Sequence, residues 1–599
     1  MPRPAFLACV VLVGLGVLLL TGFTNDGAFW SEWGRNPQHT GMVTIQGQPI
    51  NNKLADIVYD PFTTQEKNET FGELLAHFQS TLIDSASTFY MMQKTGHYPS
   101  CQPVGYWIYG FPCGPNAWQR VQWNVARHDW TNGQPVTTWT FPTDWKPVPN
   151  GTNVLQGYGG LFGWEPVFHP VLANGYIYVP GAGGTIWRVN KSTGQAAAHI
   201  NPFTAGQTDP TRTFVSSPLT AADDGSIYYN VLELNTNGNP WNQNDVAGAW
   251  LVKITPTDST ATVTYATLVP NAPPGNSNHC PGTFFNLNDG GASLPWPPPG
   301  VVAPPAQRCG SQRPGVNIAP AVAPDGTVYT ASVAHFDPIV TYLIAVNPDL
   351  TPKWAASMQN VLSDGCGVLL PIAPQGVNNL PNSCRYGTKV GVDPTTNAKG
   401  SSTISDLASS SPTVLPDGSV IFGVTDNYNY SRGHLLHFSA QGAYLNAYTF
   451  GWDSSAAVYT HDNTYSIVIK DNHYPSPAYC SFNNPVCTST PPGPYYLSQV
   501  NPNMQVEWSF QNTTIDQQHP NGYEWCVNAP AIDGTGLVYA TSEDGNVYTI
   551  PQGHHGVFTT PQQKIFLLQA IGAAYTPLSI ANDGREYSQN DGHLFVLGQ

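Results

Sequence analysis

Several residue groups with the chemistry to bind a cation or an aromatic cofactor stand just ahead of recurring proline-led strand segments. They are Trp164-Glu165 with His169, Arg212 with Ser216 and Ser217, Asn317, Asp406, Asp453 with Ser454, Glu524-Trp525 with Asn528, and Tyr575. Four carboxylates, an asparagine and two indoles suit a calcium site beside an aromatic platform, since hard cations take carboxylate and amide oxygens. The expectation places Asp406, Asp453 and Glu524 on the metal and Trp164, Glu165, Arg212, Asn317, Trp525 and Asn528 around a cofactor. Taken singly, each position better suits a solvated loop or a turn cap, the expectation resting on the ring as a whole, and no catalytic residue is assigned. His128-Asp129, His461-Asp462 and His335 with Asp337 invite an acid–base or metal reading. Neighbours on a strand face opposite ways, so turns and surface pairing are the expected use of these pairs. No GxSxG, HExxH or P-loop pattern is present, which removes the common hydrolase and nucleotide chemistries.

The elements that would position these groups are repeated hairpins. Pro170-Val-Leu-Ala-Asn-Gly-Tyr-Ile-Tyr178 returns at Pro218–Tyr228, Pro320–Tyr329, Pro412–Ile421, Pro530–Tyr539 and Pro577–Tyr587. Each copy is a short apolar strand, an Asn-Gly, Asp-Gly or Gly-rich turn and a β-branched or aromatic strand. Third strands such as Tyr342–Asn347 follow, then fourth strands carrying Trp354 or Trp508, so the unit is a four-stranded antiparallel meander. Pro170 to Pro218 and Pro530 to Pro577 are 48 and 47 residues apart, which suits one propeller blade. Weaker copies at Ser80–Tyr90 and Ala457–Ile467 bring the count to eight. After His593–Leu597 only Gly598 and Gln599 remain, so the last blade needs a strand from elsewhere, and Lys53–Pro61 is the expected donor. The fold class is therefore all-β, an eight-bladed β-propeller closed by an N-terminal strand.

Composition agrees. Gly (57) and Pro (55) make up nearly a fifth of 599 residues, and charged residues are only 10% while aromatics reach 12%, a folded, turn-rich, strand-rich chain. Lys+Arg 22 against Asp+Glu 38 gives a net charge of −16, which opposes phosphate and excludes nucleic acid as a partner. Arg3 and the apolar run Ala5–Leu20 form a signal peptide or N-terminal anchor over residues 1–23, giving an extracytoplasmic location and membrane contact through that anchor alone. Residues 24–599 are then one propeller with loop insertions near 101–113, 270–316, 361–400 and 472–494. Export makes disulfides the expected fate of Cys101 with Cys113, Cys280 with Cys309, Cys366 with Cys384, and Cys480 with Cys487; Cys526 is left over.

These hairpins, the Leu-x-Ala-Val-Asn third strand and the early Trp33-Gly-Arg-Asn-Pro-Gln-His-Thr-Gly41 together resemble the quinoprotein alcohol dehydrogenase-like superfamily of pyrroloquinoline quinone (PQQ) repeat propellers. The resemblance covers nearly all of the chain after its leader. It implies two functional classes: dehydrogenases using PQQ and calcium, and a non-catalytic scaffold of outer-membrane assembly. Catalytic members press a disulfide of adjacent cysteines on one cofactor face and a tryptophan on the other; here no two cysteines are adjacent. The expected function is a binding or scaffold module holding a protein or small-molecule ligand at a channel mouth. The alternative is an alcohol or sugar oxidoreductase, with Glu165, Asn317 and Asp406 or Asp453 near calcium.

Overall fold

The computed structural model describes residues 29–65, 79–97, 120–146, 168–235, 244–281, 306–362, 398–399, 402–404, 406, 410–425, 433–449, 454–472, 494–525, 529–568 and 577–599. Eight antiparallel sheets follow one another along the chain. Blade I spans 82–142, blade II 171–200, blade III 213–264, blade IV 312–357, blade V 413–449, blade VI 457–511, blade VII 531–566 and blade VIII 579–598. Within blade II the strands Val171–Ala173, Tyr176–Pro180, Ile186–Asn190 and Ala196–Ile200 run from the inside outward. Both weak sequence copies are genuine blades, the first and the sixth.

The hairpin turns form as their chemistry dictates. Asp325 and Asp417 each accept the backbone N–H two residues on (2.9 Å), and Gly326 and Gly418 both sit at φ +82, where glycine carries no Cβ penalty. Fourth-strand tryptophans lock neighbouring blades. Trp354 covers Gly442 and donates its indole N–H to the Ala440 carbonyl (2.9 Å), as Trp139 covers Gly194 and donates to Lys191 (2.9 Å).

Closure is as the repeat count requires. Asn52–Val58 forms the outer strand of blade VIII, with Ile57 opposite Leu594 and Asp56 opposite Phe595. The chain then crosses to blade I. Tyr59 N–H donates to the Gly592 carbonyl (2.9 Å), Lys94 N–H to the Tyr59 carbonyl (2.7 Å), and Lys94 Nζ lies 2.6 Å from Asp60 with both side chains fully buried. Blade VI gains a fifth strand, because Gly556–Phe558 from blade VII pairs parallel with its outer strand Val506–Gln511.

The lead-in segment has a role its residue types do not announce. It circles the axis and meets the innermost part of every blade in chain order. Trp30 bridges Ile83 of blade I; the N–H groups of Leu172, Val322, Val414, Val458 and Ile532 donate to the carbonyls of Ser31, Pro37, Gln38, Thr40 and Gly41 at 2.7–2.9 Å. In blade III the Ala221 N–H takes the Glu32 carboxylate instead (2.9 Å), and in blade VIII the Gly584 carbonyl accepts from Gln48 N–H (2.7 Å). These inner-strand residues stand just before the hairpin turns, so residues 30–48 fill that end of the axial channel. The path is tight: a Cβ on Gly41, at φ +63, would stand 2.9 Å from the Pro530 carbonyl oxygen.

Candidate functional site

At the opposite end, the loops entering each blade converge on the axis, and their backbone groups and short polar side chains join blade to blade. Ser80 of blade I bonds His169 of blade II (2.7 Å), and the His169 carbonyl accepts from Leu219 N–H of blade III (3.2 Å). Asn317 N–H donates to the Ser216 carbonyl (2.8 Å), Ala319 N–H to Ser411 Oγ (2.9 Å), and Ser411 N–H to Ser455 Oγ (3.0 Å). Leu578 N–H to the Ala529 carbonyl (3.4 Å) and Ser579 Oγ to the Thr81 carbonyl (2.9 Å) continue the ring through blades VII, VIII and I.

Two aromatic side chains of the lead-in sit inside this ring. The Trp33 ring meets the His169 ring edge-on, with centroids 6.0 Å apart. His39 Nδ1 lies 2.8 Å from the Pro412 carbonyl, and His169 Nδ1 lies 2.8 Å from the Pro170 carbonyl. A carbonyl only accepts, so Nδ1 carries the proton in both rings and each Nε2 is an acceptor; Ser80 satisfies that of His169. Burial pushes both imidazoles down to about 4, so both are neutral near pH 7.

The expected site residues are distributed differently from the converging ring drawn from sequence. Asp406 is held bidentately by the Arg313 guanidinium (2.7 Å to each oxygen) and also accepts from Val316 N–H (3.1 Å). Arg313 Nε in turn meets His335 Nδ1 (2.9 Å). This pairing turns Asp406 into a strut between blades IV and V rather than a metal ligand. Arg212 is tied to Asp209 (2.9 Å), Glu233 (3.2 Å) and the Leu234 carbonyl (3.0 Å), all local to blade III. Trp525 is fully buried against Phe510 and Tyr548, with its indole N–H on the Tyr495 carbonyl (3.3 Å) and its backbone N–H on Asn472 (3.1 Å). It packs blade VI against blade VII and offers no face as a platform. Asn317 does stand at the axis, buried and at φ +72, a left-handed conformation that asparagine tolerates. The Glu524 side chain is half-buried, and its carbonyl accepts from Ser542 Oγ (2.8 Å) and Glu543 N–H (3.1 Å). Trp164, Glu165, Asp453, Asn528 and Tyr575 lie outside the described residues.

The His-Asp neighbours follow the alternation rule in one case and break it in another. His128 stacks on Phe89 (4.9 Å) while Asp129 turns to Thr88 and Arg127. His461 and Asp462 do meet (3.3 Å), because Asp462 is a turn residue at φ +45 where alternation ends. His335 bonds Arg313 rather than Asp337, which is buried and pushed up to about 6 by desolvation. Sequence reading missed a loop constellation: Asp516 accepts from His519 Nδ1 (2.9 Å) and from the Tyr523 hydroxyl, which hold its carboxyl down at about 2. The Asp-x-x-His spacing ahead of Glu524 was its only signal. Of the expected disulfides, Cys280–Cys309 is formed, and the other six cysteines and Cys526 lie outside the described residues.

Among the described residues no group of three or more His, Cys, Asp or Glu side chains is arranged to hold a metal. No described helix is long and apolar enough to cross a membrane. With Asp406 and Arg212 consumed by ion pairs and Trp525 enclosed, the described part of the donor set does not fit PQQ with calcium. No protein-family model and no curated protein matches the chain. Solved structures align with most of its length at low identity. A europium-containing methanol dehydrogenase has 10% identity and a TM-score of 0.48, with 94% of this chain and 89% of that one covered. Quinohemoprotein alcohol dehydrogenase from Comamonas testosteroni has 11% and 0.47, with 97% and 82% covered. BamB from Moraxella catarrhalis has 13% and 0.36, with 80% and 91% covered. Overlaps of this size carry none of those proteins' chemistry across. By its eight four-stranded blades, its repeated hairpins and its N-terminal closing strand, the chain is an eight-bladed β-propeller.

Proposed function

We propose that this protein is an extracytoplasmic, non-catalytic propeller that acts as a rigid binding or scaffold module, exported through residues 1–23. The observation that supports this reading is how the axis is used. One end is filled by residues 30–48, and of the described candidates for a cofactor site Asp406 and Arg212 are held in ion pairs and Trp525 is enclosed in the core. A site for redox chemistry needs groups left unsatisfied by the protein and aimed at the reacting atoms. Arg313, Asp406 and His335 instead satisfy one another. Such a ring presents its entry loops as a fixed surface, of which the Asp516–His519–Tyr523 loop is one ordered part, to a protein or small-molecule ligand.

The experiment is reconstitution. Purified protein is incubated with calcium and PQQ, then followed for a bound-quinone absorbance band and for dye reduction with a panel of alcohols and sugars. The scaffold reading expects neither signal. A saturable band accompanied by substrate-dependent dye reduction would replace it with the oxidoreductase reading.

A further inference from the structure

The second strand of blade VIII, Glu586–Asn590, breaks the apolar pattern of the repeat. Where Glu586 stands, the other clear copies have Ile177, Ile227, Val328, Val420 and Val538. Alternate residues share a face, so Glu586, Ser588 and Asn590 point one way and Tyr587 and Gln589 the other. Tyr587 contacts blade I: its hydroxyl accepts from Trp130 (3.0 Å) and its ring packs edge-on against Phe89 (5.0 Å). The Glu586 face therefore looks toward blade VII, and Asn590 Nδ2 indeed donates to the Leu568 carbonyl there. Tyr539 occupies the repeat position of Tyr587 in blade VII and by the same alternation looks back toward blade VIII.

This interface concentrates unsatisfied oxygen. Glu586 is fully buried, and neither of its carboxylate oxygens has a hydrogen-bond partner. The Tyr539 hydroxyl, the Ser588 hydroxyl and the Asn590 side-chain carbonyl are likewise buried and unpaired. Burial raises the Tyr539 phenol most, and the negative charges of Asp533 and Glu586 raise it further. A proton on Glu586 would neutralise the charge but satisfy one oxygen at most. A cation satisfies several at once, and every orphan is a hard oxygen donor. Residues two apart on a strand face are about 6.7 Å apart, so Glu586 and Ser588 can share one ion at the 2.3–2.6 Å typical of calcium, while Asn590, four residues on, stands about twice as far and lies outside its shell.

We propose that the interface between blades VII and VIII holds a hard cation of the calcium class, with Glu586 as its charged ligand and Tyr539 and Ser588 as neutral oxygen ligands. One carboxylate and two uncharged oxygens make a ligand set that holds a single acid and no histidine. The site is distinct from the channel mouth and independent of the function proposed above. It ties the last two blades together beside the strand that closes the ring.

The test uses the whole chain, stripped with a chelator and then given calcium alone. Calcium is expected to raise the melting temperature by about 2 °C or more. Terbium added to the stripped protein should luminesce on excitation of its aromatic side chains, and calcium should displace it. Glu586→Gln should lose both responses. Glu586→Ile restores the residue type of the other blades, so it should fold, lose both responses and melt no lower than the stripped wild type. A wild type indifferent to calcium, or a response retained in Glu586→Ile, would overturn the proposal. So would a crystal grown in calcium that shows only water beside Glu586.

Discussion

Acidification should loosen the axis through its histidines, and His39→Asn should show by how much. His39, His169 and His128 are buried, and desolvation pushes each down to about 4 from an ordinary 6.5. A group lowered on folding contributes its full stability above its unfolded value and loses it as pH falls toward the folded one. Between pH 8 and pH 5 the linkage relation with 6.5 and 4 gives a loss of about 2 kcal/mol per histidine. Buried carboxyls oppose this: Glu32 is raised by burial and Asp337 is raised to about 6, so acidification favours their folded state. Comparing variant with wild type isolates the imidazole. Asparagine at 39 can still donate to the Pro412 carbonyl that His39 Nδ1 now serves, but it does not titrate. Urea unfolding followed by tryptophan fluorescence from pH 8 to pH 5 should show the His39→Asn curve flattening, with the wild-type advantage shrinking by about 2 kcal/mol. Parallel curves for the two proteins would refute the inference that a neutral His39 is locked into the axis.

Gly442→Ala should destabilise by about 1–3 kcal/mol, read from thermal unfolding, because it forces a Cβ into the left-handed region at φ +84 and to 2.7 Å from the Trp354 ring. Asp60→Ala should cost about 3–5 kcal/mol by removing the partner of fully buried Lys94; denaturant midpoints measure it, and limited proteolysis should cut first near residues 52–58. Replacing Cys280 and Cys309 by serine opens a loop of 29 residues. The chain-entropy relation gives a loss of about 3.6 kcal/mol, and the same loss should follow reduction of the wild type.

Blade number and ring closure were legible because both follow from a local pattern repeated often enough to count. Each hairpin announces itself through turn glycines and alternating strands, and a final blade with three strands implies a donor. What the mouth residues do was not legible, because their partners are distant in sequence. Asp406 reads as a candidate ligand until Arg313, 93 residues earlier, closes on it, and an indole such as Trp525 looks the same in sequence whether it walls a cofactor or fills a core. The lead-in was recognisable as a motif, yet its action runs through backbone carbonyls, which any residue supplies. Glu586 was legible in principle: aligning the six clear copies exposes one acid among isoleucines and valines.

The lead-in also changes how closure should be understood. A strand shared between the chain ends joins blade VIII to the N-terminus at the perimeter, and it could in principle peel away while the other seven blades stay packed. Residues 30–48 bind the innermost strand or turn of all eight blades in chain order before that outer strand begins. The short chain from Gln48 to Asn52 links the axial segment to the outer strand Asn52–Val58. Moving the perimeter strand outward therefore pulls on the axial segment, and with it on backbone bonds to every blade. The ring is fastened at its centre and its edge by one continuous piece of chain, so blade VIII and the axis should open together rather than in turn.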